Sequence, residues 1–264
     1  MSQRIEEKFT ELKAKNQKAL ITFIMGGDPD LAKSAEILKS LPAAGADIIE
    51  VGMPFSDPMA DGATIEAAGL RALSAGVKLK NIIDLIKDFR KSDDKTPVIL
   101  MGYYNPIYRY GVEKFCVDAK NSGIDGVIIV DLPPEEEDEF ISVAKNFDIK
   151  LIRLVAPTTD DIRFEKLIKN SGGFIYYISI AGITGTKSAD INELEARVKH
   201  LKNKTKLPIA VGFGIKTPEQ AKEVAKFADA VVVGSALVDI IAKESPEKAV
   251  EFVRRLKLAI DSIK

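Results

Sequence analysis

The chain has 264 residues, a length that suits either two average domains or one closed α/β barrel. Apolar residues make up 46 %, and 38 basic against 39 acidic side chains leave a net charge of −1, which argues against nucleic acid or an anionic membrane as the main partner. A single cysteine (Cys116) and a single histidine (His200) exclude a disulfide framework and a Cys/His-rich metal site, so no metal is expected and acid–base work falls to carboxylates, Tyr, Lys or backbone dipoles.

The first segment, SQRIEEKFTELKAKN, alternates charge at helical spacing and puts Ile5, Phe9 and Leu12 on one face. It predicts an amphipathic helix and lacks the apolar core of a signal peptide. No run approaches the ~18 apolar residues of a membrane span, so a soluble, cytoplasmic protein is expected. A strand over Ala19–Met25 follows, then a helix over Ala32–Leu41 after Pro29-Asp30. The second strand, Asp47–Met53, carries a carboxylate, Glu50, in an otherwise apolar run. The distance to the next strand is unusually long and holds PFSDPMADGAT, a further helical stretch, and a helix over Leu79–Phe89.

Strands three and four are expected at Pro97–Met101 and Asp125–Val130. Pro134–Phe147 opens with Pro and three Glu, a helix start that suits the positive end of the dipole. The fifth strand, Ile149–Val155, contains Arg153, and the sixth, Gly173–Ile178, contains Tyr176 and Tyr177 on opposite faces. A second long loop, Gly182–Asn192, comes next, and His200 sits in the Lys-rich RVKHLKNKTK, as a solvated helix-end residue would. Pro208–Val211, the helix start Thr217-Pro218-Glu219, and Asp229–Val233 complete the series.

These eight runs are nearly continuous in Val, Ile and Leu, the pattern of strands buried on both faces of a parallel sheet. Alternating with helices and unbroken by any linker, they predict one (β/α)8 TIM barrel over residues 1–264. An extra N-terminal helix and extended loops after strands two and six complete the expected fold. An open doubly wound sheet is the alternative, but no Gly-x-Gly-x-x-Gly follows the first strand. The spacing of GITGTKS does not fit a triphosphate-binding loop.

Three signals point to chemistry. Glu50 shares a face with Ile48 and Gly52; if that face is the barrel interior, the acid is partly desolvated and its pKa rises. The structural alternative is a buried ion pair, for which Arg153 is the one basic residue in the middle of a neighbouring strand. Asp57 and Asp61 lie in the long loop next to Glu50; taken alone, each suits a turn, and Asp61 a cap for a helix beginning near Ala63. Glycine-containing segments end the last three strands, at Ala181–Gly185, Gly212–Ile215 and Gly234–Ala236. Such loops, with a helix N-terminus, bind phosphate through backbone N–H groups and need no Lys or Arg. Strand six carries no Lys, so a Schiff-base aldolase is not expected.

The motifs EVGMPFSDPMADGATIE, GGDPD, AGITG, VGFGI followed by TPEQ, and VVVGSALV occur in this order. With them the chain resembles, from end to end, the α subunit of tryptophan synthase. The resemblance implies a lyase that cleaves indole-3-glycerol phosphate to indole and glyceraldehyde 3-phosphate in tryptophan biosynthesis. By motif it implies that Glu50 is the general acid/base, that Asp61 binds the indole N–H, and that Tyr176 assists near Glu50. Gly185, Gly214, Gly234 and Ser235 match the phosphate cradle. Phe23, Ile65, Met101, Ile128 and Leu154 fall where the family lines its indole pocket, and Thr184 matches the loop residue that meets Asp61 on closure. Ile180 stands where some members carry Arg, so a loop-closing role of that Arg is not expected here.

The resemblance further implies an allosteric αββα heterotetramer that passes indole to a β subunit holding pyridoxal phosphate, with no cofactor in this chain. Pro54–Asp61, Tyr103–Tyr108 and Asp131–Pro134 would form the interface. Rival readings are a stand-alone indole-3-glycerol-phosphate lyase, another phosphate-binding barrel such as an isomerase, and a silent channelling partner. Such barrel isomerases typically place Lys or His at strand ends, whereas the sole His here lies outside the strands.

Overall fold

The structure is a computed structural model describing residues 3–178, 191–212 and 214–263. Its strands are β1 (Ala19–Met25), β2 (Ile48–Gly52), β3 (Val98–Gly102), β4 (Gly126–Ile129), β5 (Lys150–Leu151), β6 (Arg153–Val155), β7 (Ile175–Ile178), β8 (Ile209–Gly212) and β9 (Ala230–Val233). All are parallel, in the order β5-β4-β3-β2-β1-β9-β8-β7-β6. The two ends of that order, β5 and β6, are one run interrupted at Ile152. Its N–H still donates to Val127 O at 2.9 Å, so the sheet closes on itself. Eight expected strands thus become nine segments of a (β/α)8 barrel.

Strand alternation sorts side chains into two layers. Ile21, Ile48, Ile99, Ile128, Ile152, Phe174, Ala210 and Val232 meet inside the barrel. Residues of opposite parity, such as Leu20, Ile49, Leu100, Val127, Val211 and Val231, face the helical shell. That shell comprises α2 (Leu31–Ala44), α3 (Ala63–Ser74), α4 (Leu79–Phe89), α5 (Tyr104–Tyr110), α6 (Val112–Ser122), α7 (Asp138–Ala144), α8 (Asp161–Ile168), α9 (Ile191–Lys202), α10 (Pro218–Ala225), α11 (Ser235–Lys243) and α12 (Pro246–Asp261). Cys116 is buried on α6, and burial pushes its thiol up to about 12. No described helix is long and apolar enough to cross a membrane.

The first helix, α1 (Arg4–Ala14), closes the N-terminal end of the barrel. Ile5 and Leu12 are buried in the interior cluster, Phe9 packs against it, and the Phe9 and Phe174 rings lie 5.9 Å apart. Burying an Ile or Leu contributes roughly 1.5–3 kcal/mol, enough to hold a short amphipathic helix. Three acids stitch the same end. Asp47, Asp125 and Asp229 each precede a strand and accept the N–H of a neighbouring one, from Leu20 (2.8 Å), Val98 (2.8 Å) and Ile209 (2.9 Å). Each also has a cation: Lys257 at 2.9 Å, Arg90 and Arg4 both at 2.8 Å, and Lys202 at 2.7 Å.

One expectation needs correction, and the orientation of Arg153 is fixed. Pro134–Glu137 is a turn and α7 starts at Asp138, because the Glu137 side chain is turned inward to pair with Arg153. Arg153, in turn, does not enter the barrel: it shares the parity of Ile175 and Ile209, facing the shell, and donates to Leu132 O.

Candidate active site

Glu50 occupies the middle of β2, with Phe23 and Ile99 as its register partners on β1 and β3. Its parity is that of Ile48, inside the barrel. The residue is fully buried, and neither carboxylate oxygen has a hydrogen-bond partner among the described residues. With Arg153 committed to Glu137, the ion-pair alternative is removed. Removal from water without compensation disfavours the charged form, and burial alone raises the Glu50 pKa to about 8. At neutral pH the group is mainly a carboxylic acid.

Tyr176 on β7 shares the interior parity and packs against the interior cluster, while Tyr177 joins the sheet–helix core. The Tyr176 phenol is held well above its ordinary pKa, first by burial and then by the Glu50 charge. The ring reaches β8, where a Cβ at Gly212 would lie 2.5 Å from the hydroxyl. On the opposite side, a Cβ at Gly52 would meet the Phe23 ring at 2.7 Å. Glycine at these two positions makes room for the rings that flank Glu50.

Phe23, Met101, Ile128 and Leu154 all project inward from β1, β3, β4 and β6 by their register. Ile128 is fully buried, Phe23 nearly so, and Met101 and Leu154 are partly open. They form an apolar cup beside a neutral acid. Ile65 sits in the first turn of α3 and packs against the cluster containing Phe23 and Met25.

Asp61 lies in the connection from β2 to α3. It does not cap α3: Gly62 is the N-cap, with no side-chain cap bond. Its carboxylate instead accepts a hydrogen bond from the Tyr103 hydroxyl at 3.0 Å. Burial raises its pKa, the Tyr103 bond opposes that rise, and the Glu66 charge adds to it. Tyr103 stands one residue past β3, so Asp61 is tethered at the β2–β3 edge from which Glu50 and Met101 project. Asp57 accepts a hydrogen bond from its neighbour Ser56, at 2.5 Å.

Gly214 (φ +61°) lies just past β8 and Gly234 just past β9, two adjacent strands. Gly234 precedes α11, whose first residue, Ser235, is exposed. The free N–H groups of that first turn and the helix dipole present positive potential to an anion. Thr184, Gly185 and Ile180 lie outside the described residues. His200 lies in the last turn of α9 with Nε2 2.8 Å from Asp161 and belongs to the surface.

Sequence reasoning missed two connections. The tether between Tyr103 and Asp61 spans 42 positions. A second tie joins the GGDPD loop to α3: Arg71 donates from Nε to Asp28 Oδ1 at 2.7 Å and from Nη2 to Oδ2 at 2.9 Å. The sequence signal was the charge itself, Asp28 in a loop that buries its side chain and Arg71 on the inner side of an amphipathic helix.

Comparison with known proteins agrees with this layout. The family model for the tryptophan synthase alpha chain matches residues 9–263. Tryptophan synthase subunit alpha from Legionella pneumophila str. Paris is similar at 41 % identity, with a TM-score of 0.93 and both chains covered in full. A protein from Aquifex aeolicus VF5 shares 39 % identity over 97 % of this chain and 98 % of its own, at a TM-score of 0.89. Tryptophan synthase from M. tuberculosis in its aminoacrylate-bound form shares 30 % identity over 98 % of this chain and 100 % of its own, also at 0.89.

Proposed function

The chain belongs to the tryptophan synthase alpha chain family, whose lyase reaction cleaves indole-3-glycerol phosphate in tryptophan biosynthesis, and from that premise we propose that Glu50 and Asp61 carry the chemistry. The observation that supports this most is Glu50, a buried acid with no cation beside it among the described residues and a pKa of about 8. Indole leaves poorly as a carbanion and well once the ring carbon that bears the side chain is protonated. Glu50, neutral at physiological pH, gives its proton to that carbon. The positive charge spreads to the ring N–H, where the Asp61 carboxylate binds and stabilises it. The Glu50 carboxylate left behind takes the proton of the side-chain hydroxyl. The carbon–carbon bond breaks, its electron pair restores the indole ring, and the aldehyde forms. Glu50 ends protonated, ready for the next cycle.

Tyr176, fixed over Gly212, assists near Glu50. Phe23, Ile65, Met101, Ile128 and Leu154 hold the indole ring by apolar contact. Gly185, Gly214, Gly234 and Ser235 bind the phosphate with backbone N–H groups and the α11 dipole. Thr184 meets Asp61 when the loop closes. No cofactor enters these steps, and one barrel domain of residues 1–264 supplies every group.

The partner on this reading is a β subunit carrying pyridoxal phosphate, assembled as αββα in the cytoplasm. Two of the three segments assigned to that interface carry large exposed apolar side chains, Met59 at 83 % and Tyr108 at 58 %, as a docking face requires. Co-elution with a β subunit and a rise in lyase rate on titration are the expected results; neither occurring removes the partner and leaves a stand-alone lyase.

Glu50→Gln and Asp61→Asn test the catalytic pair. The first is expected to lower turnover of indole-3-glycerol phosphate by about 10²–10⁴-fold and the second by about 10²–10³-fold, both with native circular dichroism. Near-native turnover in either variant refutes its assignment.

A further inference from the structure

We infer that Tyr103 is a positioning residue for the lyase step, fixing which oxygen of Asp61 faces the substrate. The inference rests on the role proposed above for Asp61. A phenol has one proton to give and can accept in return. The Tyr103 oxygen accepts the N–H of Ala60 at 3.0 Å, and its proton goes to Asp61 Oδ1 at 3.0 Å. Asp61 Oδ1 is thereby occupied, while Oδ2 has no hydrogen bond among the described residues. Oδ2 is left as the acceptor for an indole N–H.

The tyrosine is held well enough to do this. It is buried, and its ring lies 5.4 Å from that of Phe55. One side chain therefore touches both the start of the connection leaving β2, at Phe55, and its end, at Ala60 and Asp61. The next residue is anchored on the other side: the Tyr104 N–H donates to Asp131 at 2.7 Å and its hydroxyl to Glu139 at 2.8 Å. Tyr103 is thus clamped between two loops of the barrel mouth. A residue that served only as filler could be phenylalanine; the hydroxyl has two partners, one of them Asp61.

The electrostatics give this role a signature. Burial raises the Asp61 pKa; the neutral Tyr103 hydroxyl, donating from the β3 side, favours the carboxylate, and the Glu66 charge from α3 opposes it. Tyr103 itself faces Asp61 and Asp131, and its pKa of about 12 keeps it a donor throughout the working range. Asp61 must be ionised to stabilise the indole cation, so activity is lost as pH falls through its pKa. Removing the Tyr103 proton raises that pKa and moves the acid limb to higher pH.

The experiment compares pH profiles of kcat and KM for indole-3-glycerol phosphate in the full chain, in Tyr103→Phe, and with 3-fluorotyrosine at position 103. Tyr103→Phe is expected to lower kcat roughly tenfold, the value of one hydrogen bond to a charged group, and to move the acid limb up by about one unit. The KM is expected to change less than kcat. Fluorination makes the phenol a stronger donor and is expected to shift the limb the other way, in a side chain that keeps both hydrogen bonds. In the residual activity of Asp61→Asn, Tyr103→Phe is expected to add less than about twofold, because the pair acts as a unit. Thermal unfolding checks the fold of each variant, and the fluorinated protein decides the matter if Tyr103→Phe does not fold. Unmoved acid limbs, or an equal loss with and without Asp61, would overturn the inference. Near-native turnover of Asp61→Asn alone would instead remove the underlying role of Asp61.

Discussion

The two ends of the barrel treat acidic side chains in opposite ways. At the end closed by α1, Asp47, Asp125 and Asp229 each meet a backbone N–H and a Lys or Arg. At the open end, Glu50 meets neither, and Asp61 has one phenol; no cation pairs with either among the described residues. The same chemical group is a fastener where its charge is matched and, on the function proposed above, a reagent where it is not. Burying an unmatched acid costs stability, and the proposed catalytic role of Glu50 would account for that cost.

Asp125→Ala should break that contrast most severely. It leaves Arg90 largely buried without its carboxylate and frees the N–H of Val98, and the expected loss is about 3–5 kcal/mol in denaturant unfolding. Lyase activity of the folded fraction should be retained, since the site lies at the other end. A loss below about 1 kcal/mol would show that the paired acids are not the fasteners proposed.

Glu50→Gln should do the reverse. The Glu50 pKa is about 8 folded against an ordinary 4.5, so between these values the folded state holds a proton that the unfolded state has released. Wild-type stability therefore falls as pH rises from about 4.5 to 8, and the neutral amide escapes that fall. The variant is expected to match wild type near pH 4 and to exceed it by a few kcal/mol at pH 9. A stability difference that does not grow with pH would refute the assignment of an uncompensated acid.

The smallest effect sharpens the comparison from the closed end. Asp47 already titrates above an ordinary carboxylate, because burial outweighs Lys257 and the Leu20 N–H. Lys257→Met removes the cation and should push Asp47 further toward the behaviour of Glu50. A loss of about 1.5–3 kcal/mol is expected at neutral pH, fading as pH falls and Asp47 becomes protonated. A pH-independent loss would mean that Lys257 acts through packing of its stem alone.

The strands were legible because both faces of each are buried, which leaves nearly unbroken runs of Val, Ile and Leu. Glu50 was legible for the same reason, as a carboxylate interrupting such a run. Asp61 was ambiguous: a loop aspartate two residues before a helix suits a cap, and only the Tyr103 hydroxyl, 42 positions away, distinguishes the two roles. Arg153 could not be oriented without the strand register, which turns it outward to Glu137. That pairing also explains why the helix expected at Pro134 begins at Asp138. Local pattern reports burial; it does not report which distant side chain supplies the partner.

The lone cysteine carries a practical consequence. Cys116 is buried and its thiol titrates at about 12, far from the thiolate that alkylating reagents need. The chain is therefore silent to maleimides at neutral pH without any cysteine being removed. A cysteine substituted for Met59, at 83 % exposure in the loop that carries Asp61, would be the sole rapidly labelled position. A dye or spin label placed there could follow that loop through substrate binding and partner docking against no background.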